Sequence, residues 1–206
     1  MKSNREFFNK LIEKNGIRIR RGAIFDSKLL PKSMDFDFSK IEGMLLGVAI
    51  GDSLGITSEG MLVSERKARF GEIRDYIPNR YVDKAIGFPS DDTQLTFWTL
   101  ERMVADGGFV PDHVAARFLN NRIFGLGSGM GEFLQNYCSG IPWYRSGPQS
   151  AGNGALMRIS PILIPHLKRG GTDLWVDAAL CATMTHNDTS SISAYSLTRA
   201  MTLTEP

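Results

Sequence analysis

Gly43, Gly47, Gly51 and Gly55 recur at four-residue intervals inside the most apolar stretch of this 206-residue chain. On a helix that spacing lines all four along one side, leaving a stripe without side chains. Each glycine inside a helix costs about 1 kcal/mol relative to alanine, so four together imply a neighbour that must come close to the backbone. That neighbour is either another helix or a ligand, and tight helix packing is the plainer of the two. Asp52 sits within the run and Glu59 just beyond it. A carboxylate beside so apolar a helix has to find a partner or stay at its edge.

The rest of the chain reads as helix and loop. Phe7, Phe8, Leu11 and Ile12 give Ser3 to Asn15 a helical pattern ending at Gly16, and Ser39 with Glu42 has the form of a capping box opening the glycine-rich helix. Asp91 to Asp106 is the next helix, with Leu95, Phe97, Trp98, Leu100 and Val104 as its apolar surface and Gly107-Gly108 as its stop. Pro111 to Arg122 follows, presenting Val114, Ala115, Phe118 and Leu119. Glycines and prolines between Gly125 and Gly152 predict a loop-rich lobe with one short helix near Met130 to Tyr137. Asp173 to Thr185 and Ser190 to Leu203 complete the helices. No segment alternates with a period of two over a useful length, so the fold class is all-α.

Composition narrows the setting. The longest apolar run, Met44 to Ile50, is broken by Gly47 and far below the roughly 20 residues of a bilayer span, so no membrane partner is expected. Cys138 and Cys181 lie far apart and outside any ligand motif, which argues for a reduced, cytoplasmic setting without disulfides or zinc. Residues 1–40 carry ten Lys/Arg against five Asp/Glu, whereas the remainder is net acidic. Within Gly16 to Arg21, Ile17 and Ile19 alternate with arginines, a pattern that suits a solvated arm or a protein-facing segment. No nucleic-acid partner is taken from it. Residues 1–38 thus read as an N-terminal basic extension and possible partner-binding arm, and 39–206 as the main domain.

Ser90-Asp91-Asp92-Thr93 is the strongest chemical signal. A hydroxyl and two carboxylates at a helix start suit a hard cation such as magnesium, manganese or calcium. The same residues are also ordinary helix grammar, a serine cap followed by acids favoured by the helix dipole. Gly152-Asn153-Gly154 leads toward Met157 and Arg158 and has the form of a glycine turn exposing backbone donors to a phosphate, or simply a turn. Thr185-His186-Asn187-Asp188 falls between two helices, where Asn187 or Asp188 can cap the second.

The order of these motifs is more specific than any one of them. Gly43-Met-Leu-Leu-Gly-Val-Ala-Ile-Gly-Asp-Ser-Leu-Gly55, Ser90-Asp-Asp-Thr-Gln-Leu-Thr96, Gly152-Asn-Gly-Ala-Leu-Met-Arg-Ile-Ser-Pro161 and Thr185-His186 together resemble the ADP-ribosylglycohydrolase family, from about Ser39 onward. The resemblance implies an all-helical domain with a binuclear magnesium or manganese centre that removes ADP-ribose from a modified protein side chain, usually arginine. It implies Ser90, Asp91 and Asp92 as metal ligands, with Asp92 and Glu59 in the catalytic role. It also implies Gly152, Asn153, Gly154, Met157 and His186 as contacts to ADP-ribose. The family's C-terminal Asp-x-Asp-Thr motif is not present, and Asp188-Thr189 comes too early to replace it, so the expectation is a C-terminally incomplete form of the fold.

Three functions are compatible with these residues. The first is a hydrolase of ADP-ribosylated protein, in some family members an immunity against an ADP-ribosyltransferase toxin. The second is a protein that blocks such a toxin through its basic extension. The third is a non-catalytic ADP-ribose binder.

Overall fold

The computed structural model of the protein describes residues 3–32 and 36–194. Its elements are α1 (Asn4–Glu13), α2 (Ser39–Gly55), α3 (Val63–Phe70), α4 (Asp91–Asp106), α5 (Pro111–Leu119), α6 (Ser128–Cys138), α7 (Trp143–Ser146), α8 (Ser160–Arg169) and α9 (Asp173–Thr185). The described residues contain no strand, and one isolated bridge joins Leu29 to Gly171. The all-α expectation holds. The expected helix Ser190 to Leu203 is helical over 189–194, and its remainder lies outside the described residues.

The core is organised around α9, whose residues from Leu174 to Thr185 are all buried. A helix that is apolar on every side has no solvent face to offer, so neighbours must cover it completely. α1, α5, α6, α7 and α8 do so. The one acid inside it, Asp177, is satisfied from two directions: Asn4 donates to it at 2.7 Å and His166 of α8 lies at 2.9 Å.

Asn4 belongs to the N-terminal extension, which packs onto the body in place of projecting as an arm. Phe8, Leu11, Ile17 and Phe25 are buried in the common core. Arg5 pairs with Asp173 at 2.7 Å, and the Trp175 indole donates to the Ser27 carbonyl. The Ile-Arg alternation at 17–20 forms no strand. Its isoleucines turn inward, Ile17 buried and Ile19 partly so, and its arginines remain exposed.

Several local expectations change. The capping box at Ser39 and Glu42 does not form: Phe38 occupies the cap position, and the Ser39 amide donates to Asp37 at 2.9 Å. The buried face of α4 is Asp91, Leu95, Thr96, Thr99 and Met103, while Val104 is 75% exposed. The small threonines allow the close approach of the neighbouring 153–158 turn, so bulk gives way to fit; Thr96 donates to the Met157 carbonyl across that contact. The glycine stripe of α2 meets no tight neighbour, because a Cβ added at Gly43, Gly47, Gly51 or Gly55 would find nothing within 4 Å among the described residues.

Leu46 and Ile50 of the same helix are exposed. Ser39–Ser58 is long and apolar enough, by length and composition only, to cross a membrane, which the shorter uninterrupted run had not indicated. Within this fold, however, α2 packs on α4 and carries a carboxylate that caps it.

If the extension is part of the domain, Phe8→Ala will destabilise the whole protein by about 3–5 kcal/mol, as a core truncation does. Urea unfolding followed by tryptophan fluorescence checks this; a single cooperative transition with an unchanged midpoint would contradict it.

Candidate functional site

The start of α4 is capped from another helix. Asp52 accepts hydrogen bonds from the backbone amides of Ser90 at 2.7 Å and Thr93 at 3.1 Å, from the Thr93 hydroxyl at 2.5 Å, and from the Ser90 hydroxyl. Ser90 itself makes no side-chain cap. The carboxylate therefore does for the orphan amides what the serine was expected to do, with the added attraction between a negative charge and the positive helix end. It also ties α2 to α4 and fixes the direction of the next two residues, Asp91 and Asp92.

These acids crowd one another. Asp91 is pushed up to about 7, first by burial and then by the charges of Asp92 and Glu59. Asp92 rises to about 6, again by burial first, with Asp52 and Glu59 adding repulsion. Glu59 lies at the rim, paired with Arg80 at 3.1 Å and more than half exposed.

The opposite wall centres on His186. A Cβ at Gly154 would lie 2.6 Å from the imidazole Cε1, one at Gly129 3.0 Å from Nε2, and one at Gly152 3.4 Å from Nε2. Two stretches of backbone, at Gly129 and at Gly152 to Gly154, close on the ring, and at Gly154 and Gly129 the approach is too tight for a side chain. Gly152-Asn153-Gly154 thus enters a short 3-10 turn, Asn153–Arg158, and its glycines serve a histidine, not a bare turn.

Arg158, at the end of the turn, points into the core and is fully buried. Its guanidinium donates to the Gly154 carbonyl at 3.0 Å, the Thr185 hydroxyl at 2.8 Å and the Cys181 carbonyl at 2.7 Å. Thr185 Oγ1 accepts that bond and lies 2.9 Å from His186 Nδ1, so its own proton is free to go to Nδ1. With that proton on the Thr185–Nδ1 bond, the neutral ring carries its hydrogen on Nε2, on the glycine side. Burial, aided by the Arg158 charge, lowers His186 to about 4, so the ring is neutral at ordinary pH.

Both walls enclose one cavity of about 490 Å³. Ser90, Asp91, Asp92, Glu59, Gly152, Asn153, Gly154, Met157 and His186 all line it, and the structure thereby brings together every site residue singled out from sequence. Asp52, Gly129, Thr185 and Arg158 complete or support the site and were not assigned to it from sequence. Asp52 did carry a signal, the need of an acid on an apolar helix for a partner. Thr185 stood in a quoted motif beside His186 without a role, and Gly129 carried no signal, because only the packing of α6 and α9 reveals what they touch.

The oxygen donors are of the kind that suit magnesium or manganese. Their number falls short: among the described residues no group of three or more His, Cys, Asp or Glu side chains is gathered closely enough to hold a metal ion. The binuclear centre implied by resemblance is not assembled by these residues alone.

An all-α domain that gathers a carboxylate cluster and a glycine-bounded histidine around one cavity is the setting in which comparison becomes informative. The sequence profile described as ADP-ribosylglycohydrolase matches residues 33–203, and the chain belongs to that family. An uncharacterised protein of Archaeoglobus fulgidus is 31% identical over 158 residues, covering 74% of this chain and 51% of its own length. A Pseudomonas putida protein named ADP-ribosylarginine hydrolase Tri1 is 26% identical over 173 residues, covering 78% of this chain and 45% of its own. A solved structure titled ADP-ribosylglycohydrolase-related protein complex superposes with a TM-score of 0.66 at 28% identity, over 80% of this chain and 55% of that one. The chain spans about half the length of the curated relatives it matches.

Two predictions follow from the geometry. Gly154→Ala drives a methyl group into His186, so the ring will move toward solvent and its pKa will rise from about 4 toward 6.5; histidine titration by NMR reads this directly, and an unchanged titration would refute the cradle. The second concerns pH. Because the folded pKa of Asp91 lies above its ordinary 3.8, this group favours folding at low pH, and that stability is lost as pH rises through about 7. His186 has the opposite sign, its contribution being lost as pH falls through the range from 6.5 to about 4, so it is silent above 6.5. Between pH 6.5 and 8 the unfolding free energy will fall, by no more than about 1 kcal/mol from Asp91, and Asp91→Asn will flatten the slope.

Proposed function

We propose that this domain holds ADP-ribose for hydrolytic release from a modified arginine side chain. The observation that carries the reading is the convergence, in one cavity, of Asp91 and Asp92 with a neutral histidine packed against bare glycine backbone. The relative named ADP-ribosylarginine hydrolase supports arginine as the acceptor.

The chemistry matches the charge layout. Breaking the bond between the ribose anomeric carbon and the guanidine nitrogen sends the electron pair to nitrogen and leaves positive charge on the sugar. Buried carboxylates stabilise that charge far better than water does, because a water-poor site screens them weakly. A water molecule then contributes hydroxide to the anomeric carbon and its remaining proton to the departing guanidine. His186, neutral and lining the cavity, orients a polar group of the bound nucleotide sugar. Glu59, at the rim and paired with Arg80, borders the entry side. In a cell exposed to an ADP-ribosyltransferase toxin, such an activity reverses the modification and so protects the host.

A second reading is binding of ADP-ribose without cleavage. One pair of measurements separates them. The protein is incubated with ADP-ribosylated arginine and magnesium while free ADP-ribose is measured, and ADP-ribose binding is followed in parallel by calorimetry. On the hydrolase reading, release is observed and Asp91→Ala or Asp92→Ala reduces its rate by about a hundredfold or more. Binding heat without release supports the binder, and neither signal ends both.

A further inference from the structure

A second cavity, larger at about 1380 Å³, opens on the far side of the chain segments that carry the site. Gly147 and Gln149 line it just before Ser150, which faces the first cavity, and Asn187 lines it just after His186. Four cations, Lys14, Arg18, Arg20 and Arg145, lie in its wall, and no carboxylate does. None of the four has an acidic partner within 4.0 Å among the described residues. Nearby acids are already engaged: Asp26 holds Arg21 at 2.9 Å, and Asp188 accepts from the Ser190 amide at 2.8 Å. Unpaired like charges gathered in a recess raise the local potential and favour an anionic occupant.

The wall is built, not loose. The Arg18 amide donates to Asn187 Oδ1 at 2.8 Å, and the Thr189 hydroxyl donates to the Arg18 carbonyl at 2.6 Å. These bonds hold the backbone and leave the Arg18 side chain exposed. Beyond them, the backbone amides and carbonyls of Ile19, Arg20 and Arg21 take no internal hydrogen bond among the described residues. Between the cations lie Ile17, Ile19, Ile24 and Tyr144, anchored on the core. An open stretch of backbone, flanking cations and apolar spots between them together offer hydrogen bonds, charge and apolar contact to an extended acidic peptide.

We propose that this cavity receives an extended acidic segment of another polypeptide, with glutamate or aspartate alternating with aliphatic side chains. Its volume exceeds the roughly 300–1,000 Å³ typical of small-molecule sites. Its aromatic surface is limited to the partly buried Tyr144, with Phe25 buried behind, which is little for stacking nucleic-acid bases. The inference stands independently of the hydrolase reading, because it uses none of the residues of that site.

Fluorescence anisotropy of a labelled peptide of alternating glutamate and valine tests it on the full chain. Saturable binding is expected, weakened by salt and by at least about tenfold in Arg18→Ala/Arg20→Ala/Arg145→Ala, with a lysine-valine peptide inert. Arg20→Glu alone, at an exposed position without an ion pair, provides a variant whose fold is spared and is expected to weaken binding in the same direction. Absence of saturable binding, or equal affinity in the variants, overturns the proposal. Tighter binding of single-stranded RNA than of the peptide, lost in the same variants, overturns it in favour of nucleic acid.

Discussion

The buried guanidinium of Arg158 is the interaction on which the site depends. A charge this far from water must be held by nearby acceptors, and here no carboxylate serves: the terminal nitrogens are bonded, while Nε has no partner among the described residues. Two carbonyls and a hydroxyl take its protons, and Phe118 lies under the ring plane at 5.7 Å. Those acceptors belong to the 3-10 turn and to the end of α9, so satisfying the charge pulls these two elements together. The same contact extends through Thr185 to His186 and sets which imidazole nitrogen is free. A lysine would not reproduce this geometry, because the planar fork makes the three contacts at fixed angles.

Asp52 plays the corresponding part on the facing wall. By capping α4 across an interhelical gap it satisfies amides that would otherwise be orphaned, and it concentrates negative charge where Asp91 and Asp92 begin the helix. Their raised pKa values follow from that arrangement together with burial. A cluster of this kind is electrostatically strained until something positive arrives, whether a cation or the developing charge of a glycosidic transition state. Structure and proposed chemistry meet at this point.

The two cavities divide the molecule by charge. Carboxylates line the smaller, while the larger carries only cations, and a short stretch of chain from Gly147 to Gly152 separates them. Gly147 makes that thin wall possible: a Cβ there would lie 2.2 Å from the Thr183 carbonyl, so only glycine lets the chain run directly against the end of α9. The charge asymmetry between the N-terminal forty residues and the remainder thus becomes a spatial separation on one compact body.

Local pattern was enough to read α4 and α9 and to single out the residues that line the first cavity. Helix periodicity and end signals such as Gly107 are properties of short windows, and a family's motif order survives in one dimension. Pattern misled where the deciding contact was distant. The expected cap at Ser39 gave way to a neighbouring Asp37, the inner face of α4 proved to be threonine-rich because a turn 60 residues away packs on it, and the basic extension folded into the core through Asn4 and Phe8. The sequence by itself determined the all-α class, the strongly patterned helices such as α4 and α9, and which chemical groups are available, but not the helices α3, α7 and α8. Only the tertiary structure decided that Asp52 caps α4, that three glycines enclose His186, and that Arg158 faces inward, because each rests on contacts between segments whose separation along the chain carries no information about their distance in space.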